Sequence, residues 1–275
     1  MFVSNILLIM QFTFDFMEIK LILMFVGLIM STNVALILVG LGLHHQQPTI
    51  MGINYAMAAS NVFDKSNFSN PLKIDNKYFP LKPGTTMIYE GKSEDEPTRD
   101  VFVVTNDTKE IAGITARVVH DDGYVKGEHE ETTDDWFAQD DQGNVWYMGE
   151  YTTDLSNKGS HEGSWEADVK GAEAGVIMEA NPKVDDTYNQ EFSKGVAEDK
   201  GTILSLDEKI TVPYGTFSNV LKTKDFSALE PDIVENKYYA QNIGEIKAMS
   251  VKGESEVQSL VQINGTDKSN SSDTN

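Results

Sequence analysis

Beyond residue 60 the chain never sustains an apolar repeat of helical period, and this constrains its fold more than any other feature. It runs instead in short stretches rich in β-branched and aromatic residues: Val101–Thr105, Ile114–His120, Trp136–Gln139, Val145–Tyr151, Thr202–Leu206, Asn219–Lys224, Val234–Ala240 and Glu245–Val251. Gly, Asp or Asn separates them, as expected of turns. Within Ile114-Thr115-Ala116-Arg117-Val118 the apolar side chains fall at alternate positions, which gives one buried and one wet face. The expected fold is therefore all-β, an antiparallel meander closed into a curved sheet, barrel or sandwich. It should begin with the turn Pro83-Gly84 and run as one domain over 78–260. Residues 44–77, rich in Ser, Asn and Lys towards their end, read as a spacer, and 261–275 as a disordered tail.

The clearest local unit is Trp136–Met148, two aromatic runs around the polar loop Asp140-Asp141-Gln142-Gly143-Asn144, which predicts a β-hairpin. Strict alternation would place Trp146, Met148 and Glu150 on one face, and a Glu150 that reaches water would open that face into a cavity. Trp136, Trp146, Tyr147 and Trp165 are accordingly the candidate ligand-binding residues, with Tyr238 and Tyr239 as further aromatics. The competing reading is that large aromatics simply fill the core.

The N-terminal region is of a different kind. Leu21–Leu43 carries no charged side chain and is long enough to cross a hydrocarbon core that takes about 20 helical residues. Residues 1–43 are expected to form a retained signal anchor or a cleaved signal peptide, with Met17-Glu18-Ile19-Lys20 as a natural start and Lys20 favouring an N-inside orientation. Everything after residue 60 is then expected outside the cytoplasm, secreted or membrane-anchored through that helix. The absence of cysteine excludes a lipidated Cys, a disulfide framework and thiol catalysis. With 43 acidic against 22 basic residues the net charge is −21, a field that repels nucleic acid.

His120-Asp121-Asp122, Glu128-His129-Glu130 and His161-Glu162 set imidazoles beside carboxylates, so His120, His129 and His161 are the candidate metal ligands. Their spacing forms no HExxH and no tight pair, and exposed loop or strand-end histidines account for them equally. Asp140–Asn144 lacks the order of a calcium loop. No G-x-S-x-G elbow is present, and no cofactor is expected.

Tyr78-Phe79-Pro80-Leu81-Lys82-Pro83-Gly84-Thr85-Thr86, Asp135-Trp136-Phe137-Ala138-Gln139-Asp140 with Gly143-Asn144-Val145-Trp146-Tyr147, and Leu229-Glu230-Pro231 with Lys237-Tyr238-Tyr239-Ala240 together resemble a set of uncharacterised exported proteins of bacteria and archaea. The resemblance spans roughly 78–252. It implies a β-rich, extracytoplasmic protein and carries no activity with it. The Pro-Leu-x-Pro-Gly opening is also similar to curved-sheet proteins of the lipoprotein-carrier type. Three functions follow in order: a non-catalytic binding module for an apolar or amphipathic ligand or an envelope partner, a metal-dependent hydrolase, and a structural envelope component.

Overall fold

The computed structural model describes residues 62–265, so the proposed membrane helix and the last ten residues lie outside the described part. Among the described residues no helix is long and apolar enough to cross a membrane. The chain forms β1 (Thr86–Ser93), β2 (Glu96–Ile111), β3 (Ile114–Val125), β4 (Glu128–Gln139), β5 (Val145–Asp154), β6 (Trp165–Glu166) and β7 (Glu173–Met178). It continues through β8 (Thr187–Asn189), β9 (Glu191–Phe192), β10 (Asp199–Val212), β11 (Gly215–Ser227), β12 (Val234–Ala240), β13 (Gly244–Lys252) and β14 (Glu256–Asn264). All belong to one 14-stranded antiparallel sheet ordered β8-β10-β11-β12-β13-β14-β1-β2-β3-β4-β5-β7-β9, with β6 paired to β5.

Tight turns set the register of the meander. β3 meets β4 through Lys126-Gly127, both at positive φ (55° and 85°), a two-residue turn whose twist matches that of the strands. β1 meets β2 through Glu94-Asp95 in the same way. The two sheet ends come together because β8 and β9 are one short segment split at Gln190: its first half pairs with β10 and its second with β7. At this seam only glycine fits at position 175, since a Cβ there would lie 2.4 Å from the Gln190 carbonyl. The result is a nearly closed barrel.

Two expected boundaries are corrected. Residues 62–77 do not form a free spacer: Phe68 and Ile74 are buried in the core, and Phe63 packs against it. Gln139 Oε1 accepts from the backbone N–H groups of Asp75 (3.0 Å) and Asn76 (2.9 Å), and the Asn76 side chain caps the N–H groups of Tyr78 (2.8 Å) and Phe79 (3.1 Å). Polar residues that read as linker thus satisfy the backbone of a strap laid over the β4–β5 hairpin. At the other end, β14 runs to Asn264, paired with Thr86, so its last turn of strand falls beyond residue 260.

Candidate functional site

The barrel interior holds a partly open cavity of about 200 Å³, lined by side chains from nearly every strand. Because alternate residues of a strand share a face, the lining can be followed in steps of two. Each step inward changes its chemistry. On β2 the interior passes from Phe102 to Asp100, on β4 from Phe137 to Asp135, and on β12 from Tyr239 to Lys237 to Glu235. Phe79, Leu81, Met87, Ile177 and Ile243 extend the apolar end. Asp121 from β3, Glu191 from β9, Asp199 from β10, Glu245 from β13 and Glu256 from β14 extend the carboxyl end. Lys237 is the one amine in this lining, with Nζ 3.6 Å from Asp225 Oδ2.

So many buried acids beside one amine cannot all be ionised. Desolvation dominates and mutual repulsion adds to it, which raises Asp100 to about 6, Glu245 to about 7 and Glu131 and Glu256 to about 8. The same causes hold Asp121, Asp135, Glu150 and Glu191 above the usual carboxylate range. Hydrogen-bond geometry gives independent support. The Tyr147 hydroxyl bridges Asp135 and, at 2.9 Å, Glu150. A phenol has a single hydrogen, so it donates to one and accepts from the other, which must itself carry a proton. Glu256, 7% exposed, has its Oε2 buried with no hydrogen-bond partner among the described residues.

The candidate aromatics divide between the two faces. Tyr147 lines the cavity and stacks on Phe137 at 4.9 Å. Trp165 stands behind it, edge-on to Tyr147 at 5.5 Å, and donates from Nε1 to Glu191 Oε2 at 2.7 Å. Trp136 and Trp146 belong to the opposite face. Trp136 is covered by Lys109, whose Nζ lies 3.2 Å from the ring centre. Trp146 packs edge-on against Phe63 (5.3 Å) and borders a second hollow, beside β7 and β8.

The expected exposure of Glu150 is overturned. A bulge leaves Met148 unpaired between Phe137↔Tyr147 and Trp136↔Gly149, so the alternation slips and Glu150 joins Tyr147 on the interior face, only 1% exposed. Asp140 is a turn organiser: its carboxylate accepts from the N–H groups of Gln142 and Asn144, from Asn144 Nδ2 and from Trp146 Nε1 at 2.8 to 2.9 Å.

None of the candidate histidines lines the cavity. His120 and His129 both reach Asp122, at 3.3 and 3.0 Å, and His120 Nδ1 contacts Asp134 at 2.8 Å. Burial lowers the His120 pKa, but the Asp134 hydrogen bond and the neighbouring carboxylates outweigh it and raise it overall. His161 shares none of these partners; it stacks on Tyr151 at 4.5 Å, its Nε2 2.9 Å from the phenol oxygen. Among the described residues no three His, Asp or Glu side chains are grouped to hold a metal ion.

Fold and site together define an all-antiparallel, nearly closed β-barrel with an interior divided between an apolar and a carboxyl end. Neither a known family nor a curated protein matches the sequence. Among solved structures the chain is similar to a candidate exported protein with a YmcC-like fold from Bacteroides fragilis NCTC 9343, at 17% identity over 69% of this chain and 99% of that one, with a TM-score of 0.41. It is also similar to a candidate lipoprotein from Parabacteroides distasonis ATCC 8503, at 14% identity over 69% of this chain and 100% of that one, with a TM-score of 0.39. At these TM-scores the likeness carries no argument about this chain's role.

Proposed function

We propose that the chain is a non-catalytic extracytoplasmic module whose barrel interior holds one small amphipathic molecule. The observation that carries this reading is the polarity gradient along the interior, from Phe102, Phe137 and Tyr239 to Asp100, Asp135 and Glu235 within single strands. A purely structural barrel gains most from an interior filled by apolar side chains, whereas this one keeps a cavity and spends its polar end on acids that are costly to bury. A water needs roughly 10–15 Å³ of such space, so about 200 Å³ leaves room for a small organic molecule. The acids face one another, Tyr147 and a lysine, and none of the three candidate histidines lines the cavity. The extracytoplasmic setting rests on the apolar run Leu21–Leu43, Lys20 and the absence of cysteine.

A neutral apolar fluorophore such as N-phenyl-1-naphthylamine should gain emission saturably on mixing with the protein. Ile243→Trp, which fills part of the apolar end, should reduce that uptake. No saturable uptake by a protein that retains its β-sheet circular dichroism would overturn the reading.

A further inference from the structure

We propose that the polar end of the cavity recognises an ammonium, so that the ligand is a cationic amphiphile, its head among the carboxyl groups and its tail against Phe102, Phe137 and Tyr239. This rests on the reading of the interior as an amphiphile site and adds the charge of the head group.

Three observations lead there. The first is composition at the polar end: carboxyl groups from eight strands converge on it, and Lys237 is the one amine among them. An ammonium head lets these acids ionise against a positive partner, whereas an anionic head would oppose the ionisation of Asp100, Asp121 and Glu245 and a neutral head would leave it unaided. The second is Glu256, buried in the lining with Oε2 free of any hydrogen bond among the described residues. A buried carboxyl oxygen without a partner is costly, and an ammonium N–H, against which Glu256 can give up its proton, supplies the strongest partner it can take. The third is Lys237 itself. It places an ammonium on an aliphatic stem between Tyr239 and Glu235, with Nζ beside Asp225, so the interior already accommodates the group that the ligand would bring.

A metal ion is a poorer fit to the same acids. It needs several ligands within one coordination sphere, and no three acids or histidines among the described residues are so grouped. The adjoining apolar end also has no part in holding a bare ion, while it matches an alkyl chain.

The test compares octylammonium, octanol and octanoate, which share one tail, by calorimetric titration into the purified full-length chain below their micellar concentrations. Octylammonium should bind tighter than octanoate by at least about tenfold, with octanol between them. Glu256→Gln, of equal size and uncharged, should narrow that gap by weakening octylammonium binding more than octanol binding. Equal affinity for the three, or a preference for octanoate, would overturn the head-group assignment and leave the amphiphile reading standing. Octylammonium affinity untouched by Glu256→Gln would mean attraction to the acidic exterior and would likewise overturn it. Binding of none of the three would overturn the amphiphile reading, and this inference with it.

Discussion

The protein is expected to melt at a higher temperature at pH 5 than at pH 8, by roughly 10 °C, the reverse of ordinary acid denaturation. Asp100, Glu245, Glu131 and Glu256 hold their protons in the folded barrel up to about 6, 7, 8 and 8, whereas the unfolded chain releases them near 4. Between those values the folded state binds more protons than the unfolded one, so stability falls as pH rises. The contribution is complete below about pH 4 and is lost stepwise as each folded value is passed, up to about pH 8. At about 1.4 kcal/mol for each tenfold change in proton affinity, two such groups amount to several kcal/mol, and a domain of this size gains about 2–4 °C per kcal/mol. His120, also raised, acts in the same direction. Asp64, Asp75 and Asp232, lowered by hydrogen bonds at the surface, oppose it only near pH 4 and below. Calorimetric melting across this range checks the sign, and a profile that is flat or rises towards pH 8 would show the interior acids ionised and compensated. Glu256→Gln should flatten the slope, because it removes one of the groups responsible.

Trp146→Ala is expected to destabilise the fold by about 3–5 kcal/mol, the range for emptying a large aromatic site. The indole is 3% exposed, packs against Phe63 at 5.3 Å and Phe68 at 6.2 Å, and donates to Asp140 at 2.9 Å. Truncation removes the surface that seats the 62–77 strap and leaves Asp140 short of a donor in the loop it organises. Urea denaturation of the variant measures this, and a loss under about 1 kcal/mol would show that the strap is not fastened through Trp146. Since Trp146 faces away from the cavity, the variant, where folded, should still take up the apolar fluorophore.

The strands were legible because their signal is local. Every short run read from alternation falls within an observed strand, yet β2 and β3 extend well past theirs, to Glu96–Ile111 and Ile114–Val125. The extensions are stretches such as Asn106-Asp107-Thr108-Lys109, whose polar side chains suit a wet face but carry no apolar rhythm. The strap was hidden for a related reason. Phe63, Phe68 and Ile74 are spaced without period among Ser, Asn and Lys, and only the hairpin they cover makes sense of them. Of the four aromatic candidates Tyr147 lines the cavity and Trp165 stands behind it, whereas Trp136 and Trp146 lie on the opposite face of the sheet, a division that follows from alternation along each strand and not from their size. The interior acids went unread because carboxylates abound in this chain. Their signal lies in Asp100-Val101-Phe102 and Asp135-Trp136-Phe137, an acid two residues from an aromatic and therefore on its face of the strand. No local pattern betrays the Met148 bulge that turns Glu150 inward.

An interior amphiphile site is tested most directly by methyl resonances of selectively labelled protein titrated with octanol. Leu81, Met87, Ile177 and Ile243 line the apolar end and should shift together with one saturation curve, while the exposed Leu155, Val169 and Val184 stay in place. Shifts confined to the exposed methyls, or none at octanol concentrations approaching its solubility, would contradict a binding cavity inside the barrel.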